Sequence, residues 1–87
     1  MRLDKYLKVS RIIKRRTVAK GACEGGRVSI NGKVAKASTD VKVDDIIEIQ
    51  FAAKTLKARI TNIADHVRKD DAKTMYEILE GEEDKDQ

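Results

Sequence analysis

Proline and tryptophan are absent from this chain of 87 residues, and cysteine occurs once, at Cys23. A lone cysteine excludes an internal disulfide framework. The lack of proline argues against a long linker of the Pro-rich kind. Aromatic residues amount to 3%, with Tyr6, Phe51 and Tyr76 the whole supply. So few rings disfavour a single-strand nucleic-acid reader that stacks base after base on its side chains. No apolar run approaches the roughly 18 residues that span a bilayer. The opening Met1-Arg2-Leu3-Asp4-Lys5 leads into no hydrophobic stretch of the secretory type. The expectation is a cytoplasmic, membrane-free protein of one small domain, since this length leaves no room for a second.

What the chain has is charge. Charged residues make up 39% and hydrophobic residues 40%, and the net charge is +4. That average hides a gradient. Residues 1–36 carry eleven Lys/Arg against two acids, a net +9. Residues 37–60 balance at four against four, and residues 61–87 carry four against nine, a net −5. A surface as basic as the first third attracts polyanions through its field and through counterion release. The acidic stretch Glu80 to Gln87 is expected to be a solvated, disordered tail.

Hydrophobic spacing organises the rest. Leu3 and Leu7, with Ile12 and Ile13 beyond, predict a short helix over about 3–9 and a linking turn at Ser10 to Lys14. A second helix is expected from about Arg15 to Glu24. Val18, Ala19, Ala22 and Cys23 form its apolar stripe, and Gly25-Gly26 ends it. The period then changes to two. Arg27 to Ile30 alternates, and Asn31-Gly32 before Lys33-Val34 is the strongest short-range hairpin signal, because both turn residues must take positive φ. Asp44-Asp45 marks another turn. Ile47, Ile49 and Phe51 line one face of a strand. Leu56, Ala58 and Ile60 line another, with Lys57, Arg59 and Thr61 outward. Residues 65–74 read as a polar loop with a helical turn, and Met75 to Leu79 as a last strand or a helix continuation. Two helices followed by strands make an α+β fold.

The most informative local conflict is Lys14-Arg15-Arg16 at the start of the second helix. Cations there oppose the macrodipole, whose positive end lies at the N-terminus. The cluster makes sense if an anion sits there when the protein works, and a nucleic-acid backbone supplies one. Arg2, Lys5 and Lys8 share a helix face at spacing three. Arg11 and Lys20 lie close along the chain, Arg27 follows the second helix, and Lys33 and Lys36 lie just past the hairpin tip. Together these residues are expected to border one concave surface that tracks a folded RNA by backbone and shape.

Other residues carry no chemistry on this reading. Asp4, the one acid inside the basic N-terminus, is expected to position Arg or Lys neighbours by ion pairing. Cys23 belongs to the core, and His66 to the surface. Asp44-Asp45 and Asp70-Asp71 are turn residues, and Gly25-Gly26 lacks the spacing of a phosphate loop. No Ser/His/Asp set, metal-ligand pattern or nucleophile with a base is present. A binder that is not an enzyme and needs no cofactor is therefore expected.

Three segments resemble the ribosomal-protein-S4-type RNA-binding domain family. They are Arg2-Leu3-Asp4-Lys5-Tyr6-Leu7, Lys14-Arg15-Arg16-Thr17-Val18-Ala19, and Gly26-Arg27-Val28-Ser29-Ile30-Asn31-Gly32-Lys33 continuing into Val34-Ala35-Lys36. The likeness covers about residues 1–50 and is specific, because the segments keep the family's order and spacing. It implies the S4-type (alpha-L motif) fold, with two short N-terminal helices packed on a small, mainly antiparallel sheet. The implied domain spans 1–64, with a C-terminal loop and last strand or helix over 65–79 and the tail over 80–87. The chain is most similar to the small bacterial ribosome-quality-control members. That resemblance implies binding to a large ribosomal subunit obstructed by peptidyl-tRNA, contact with large-subunit rRNA, and support of the tailing factor RqcH in alanine tailing by a monomer. It also implies backbone contacts from Arg2, Arg11, Arg15 and Arg16, and secondary ones from Lys5 and Lys36. Lys14 stands where many members carry a helix-capping Ser or Thr. Two alternatives remain open: a heat-shock-type S4 protein that recycles large subunits, and a protein-interaction module using the acidic tail and a sheet edge.

Overall fold

In the computed structural model, residues 1–81 are described. The elements run α1 (Leu3–Val9), α2 (Arg16–Glu24), β1 (Val28–Ile30), β2 (Lys33–Val34), β3 (Ile46–Gln50), β4 (Thr55–Ile60), a 3-10 helix (Lys69–Met75) and β5 (Tyr76–Glu80). The five strands form one sheet in the order β2-β1-β3-β4-β5, with every pairing antiparallel. This is the α+β architecture expected, and the 3-10 helix is the helical turn expected within residues 65–74.

The hairpin has a local cause, and the start of α1 a distant one. Asn31 and Gly32 take φ of 52° and 85°, the left-handed pair that a two-residue hairpin turn requires. The Asn31 side chain accepts the Ile46 N–H at 2.9 Å and donates to Asp45 at 3.1 Å, which ties the hairpin tip to the start of β3. Helix α1 has no side-chain N-cap. Its first N–H groups are met instead by a distant loop: Leu3 donates to the Thr39 carbonyl at 2.8 Å and Asp4 to that of Ala37 at 3.1 Å. The same loop forms a bridge between Arg2 and Asp40. The first residues are thus laid against residues 36–41, which brings Arg2 to the neighbourhood of Lys36.

The core lies between the helices and the sheet. Leu3, Tyr6 and Leu7 of α1, Ile12 and Ile13 of the turn, and Ala19, Ala22 and Cys23 of α2 are buried. They face Val28, Ile47, Ile49, Leu56, Ala58 and Ile60 from the strands, the alternation read above. Each Leu or Ile removed from water contributes about 1.5–3 kcal/mol. The buried Tyr6 hydroxyl donates to the Met75 carbonyl at 2.7 Å and fastens α1 to the end of the 3-10 helix, just before β5.

The structure departs from the pattern in three places and resolves one segment that the pattern left open. Val18 is 47% exposed and does not join the core stripe, because it sits at the edge of the arc centred on Ala19, Ala22 and Cys23. Phe51 lies beyond the end of β3 and is only partly buried. Met75 to Leu79 resolves as the end of the 3-10 helix and most of β5. Glu80 ends β5 opposite Lys57, and the rest of the expected acidic tail, 82–87, lies outside the described residues.

Candidate nucleic-acid interface

Asp4 is the hinge of the basic surface. It stands in the first turn of α1 and is 2% exposed. A buried carboxylate needs partners, and this one has three. Arg2 donates from Nε at 3.1 Å and from Nη2 at 3.2 Å, the Lys5 backbone N–H donates at 2.8 Å, and Arg16 Nε lies 3.6 Å away. Burial alone would raise the Asp4 pKa. The Arg2 hydrogen bonds, the Lys5 N–H and the charges of Arg16 and Arg2 outweigh it, and the carboxyl is held below its ordinary value of 3.8. One carboxylate thus orients two guanidinium groups, each about half exposed, and leaves one positive charge in excess.

Those two arginines face different clefts. Arg16 joins Lys5, Lys8, Arg11 and Lys14 around a cleft of about 350 Å³ between the helices and residues 65–67. Arg2 joins Lys20 and Lys36 on a second cleft of about 520 Å³, between α2 and the segment leaving β2. In place of the single concave surface expected from sequence there are two hollows, and Asp4 pairs with one arginine of each. Both helices contribute to both hollows: Lys5 and Lys8 of α1 and Arg16 of α2 line the first, and Arg2 ahead of α1 and Lys20 of α2 line the second. Arg15, Arg27 and Lys33 are exposed but line neither cleft.

Most of these cations are available. Among the described residues, no carboxylate lies within ion-pair distance of Lys8, Arg11, Lys14, Arg15, Arg27, Lys33 or Lys36. Lys20 makes only a loose pair with Glu24, at 3.9 Å. Arg15 occupies the N-cap of α2 in extended conformation, and no side chain caps that helix. The start of α2 therefore keeps both its unmet N–H groups and its cluster of cations.

Three features of the first cleft lie outside the sequence reading. Asp65 reaches across to accept from Lys5 Nζ at 3.1 Å, an ion pair that spans sixty residues of chain and lowers the Asp65 pKa. His66 is exposed as expected, but it stands on the cleft wall beside Val67. Arg11 has φ of 62°, the left-handed conformation that closes α1, where glycine is the usual residue. That conformation costs a residue with a side chain roughly 1 kcal/mol.

The S4 domain family pattern matches residues 1–47. A protein of Streptococcus pneumoniae named RQC P-site tRNA stabilizing factor is 57% identical over 79 residues, covering 91% of this chain and 90% of that protein. A protein of the same name from Bacillus subtilis is 50% identical over 82 residues, covering 94% and 95%. Among solved structures, trimeric heat shock protein 15 of Vibrio cholerae superposes with a TM-score of 0.84 at 32% identity, covering 91% of this chain and 81% of that one. The solution structure of hypothetical protein HP1423 superposes at 0.79, also at 32% identity, covering 94% and 100%. The segments that carry the resemblance are the ones that place Arg2, Asp4 and Arg16 together, and the chain belongs to the S4 domain family, in the branch named RQC P-site tRNA stabilizing factor.

Proposed function

We propose that this chain is a non-catalytic RNA-binding factor of cytoplasmic ribosome quality control. It binds a large ribosomal subunit obstructed by peptidyl-tRNA, grips rRNA and tRNA backbone, and so supports alanine tailing of the stalled chain by RqcH. The observation that carries this reading is the Asp4-held pair Arg2 and Arg16, set among seven cations with no ion-pair partner among the described residues. Fixed guanidinium groups suit phosphate, which they meet in bidentate fashion. The names of the relatives, RQC P-site tRNA stabilizing factor, supply the ribosomal setting. In this role Arg2, Arg11, Arg15 and Arg16 take backbone contacts, with Lys8, Lys14, Lys20, Arg27 and Lys33 adding field. Lys5 and Lys36 contribute secondary contacts.

The test is recovery of the tagged chain from cells. Large subunits bearing peptidyl-tRNA and the tailing factor should come with it, and Arg16→Glu should lose them; a second carboxylate beside buried Asp4 should also lower the melting temperature by several degrees, while Arg2 and the Lys5 N–H still hold Asp4 in the folded chain. Unaltered subunit association in Arg16→Glu would overturn the site. The likeness to heat shock protein 15 keeps a second reading, recycling of large subunits that carry nascent chains. Recovery of subunits without a tailing factor would favour it.

A further inference from the structure

The second cleft is built differently from the first. Its rim carries three cations, Arg2, Lys20 and Lys36, against one acid, Glu24, which lies 3.9 Å from Lys20, and its floor is apolar, made by the buried Cys23, Ala35 and Ala37. Val34 stands at its edge with 69% of its surface exposed. Burial pushes the Cys23 thiol up to about 11, so this part of the floor is neutral at physiological pH. A surface that met only phosphates would gain nothing from an apolar hollow. An occupant with a flat apolar face beside a negative charge fits both parts, and a nucleobase with its own backbone is that occupant. The base must be unpaired, since bases inside an A-form helix are stacked out of reach. Arg2 adds a platform: its two bonds to buried Asp4 fix the guanidinium plane, and such planes stack on bases. The hollow, at about 520 Å³, is within the range of small-ligand sites. Its Arg2 shares the Asp4 carboxylate with Arg16 of the first cleft.

We propose that the cleft between α2 and the segment leaving β2 receives one unpaired nucleobase of the bound RNA, with Arg2, Lys20 and Lys36 meeting the phosphates on either side. The proposal rests on the RNA-binding reading above and assigns base recognition to a part of the surface that charge alone would treat as backbone contact.

Two RNA hairpins test it, identical except that one carries a single bulged 4-thiouridine. Titrated with the full chain at low salt, the bulged hairpin should bind roughly tenfold tighter, the worth of one well-seated base. Irradiation should cross-link the bulged base to Cys23 or to residues 34–38. Val34→Lys removes the apolar edge while adding a positive charge, so it should lose the preference for the bulge and keep its grip on the paired hairpin. Equal affinity for the two hairpins, or cross-links confined to residues 65–67, would overturn the base site and leave the RNA-binding reading intact. Failure to bind either hairpin would overturn both.

Discussion

Two aspartates of the basic surface do opposite things. Asp4 is buried and aims two arginines; Asp65 is exposed and occupies a lysine. Replacing either by asparagine raises the net charge by one, and a picture based on charge alone expects tighter RNA binding from both. The geometry expects a split. Asp4→Asn should weaken RNA binding severalfold, because Arg2 and Arg16 lose the group that orients them, and should lower the melting temperature by several degrees. Asp65→Asn frees Lys5 for phosphate. It should tighten binding and steepen the dependence of log K on log salt by about 0.7–0.9. Titration of one RNA hairpin with both variants checks the pair. The Asp4 contribution to stability also has a fixed pH direction. Its pKa is depressed in the folded chain, so the contribution is fully present above the ordinary value of 3.8 and is lost as pH falls through the lower folded-state value. The difference in melting temperature between wild type and Asp4→Asn should therefore shrink once the pH is taken below 3.8. The ion-pairing role of Asp4 was legible, since it is the one acid among the first nine charges after Met1 to lie beside Arg2 and Lys5. Asp65 was not, because nothing local in the sequence couples residues sixty apart.

Among the elements, the turns and buried strands were readable because their causes are local. Asn31-Gly32 states its own turn, and Leu56, Ala58 and Ile60 alternate as a strand buried on one face must. β5 was not separable from a helix for the converse reason. After Tyr76 its residues are all exposed, including Ile78 and Leu79, so it is held as an edge strand by its ladder to β4 and shows no burial alternation. Helix α1 closes at Ser10, where its apolar spacing ends, but the left-handed Arg11 that follows has no signature in its residue type. That strain makes a prediction. Arg11→Gly relieves a backbone penalty of roughly 1 kcal/mol, so the melting temperature should hold or rise. RNA affinity should nonetheless fall, because a cation of the first cleft is gone. Calorimetry beside a binding titration checks both halves, and a variant that loses stability would contradict the strain argument.

For the whole molecule, the charge gradient along the chain becomes a surface in three dimensions. The cations of residues 1–36 gather on α1, α2 and the hairpin, which is why the sequence could name them. Their partition into two hollows could not be read, since it depends on how α1 packs on α2 and on the loop at residues 36–41 that caps α1. The apolar floor of the second cleft is likewise a product of packing, because Cys23, Ala35 and Ala37 look like ordinary core residues along the chain. The most direct measurement of the central claim, that this surface exists to grip RNA backbone, is the affinity of the full chain for an A-form RNA hairpin across salt concentrations. Engagement of five or more phosphates should give a slope of log K against log salt of about −4 or steeper, at roughly 0.7–0.9 per phosphate, and Arg16→Glu should flatten it by one unit or more. A slope near zero, or one unchanged in Arg16→Glu, would contradict the claim.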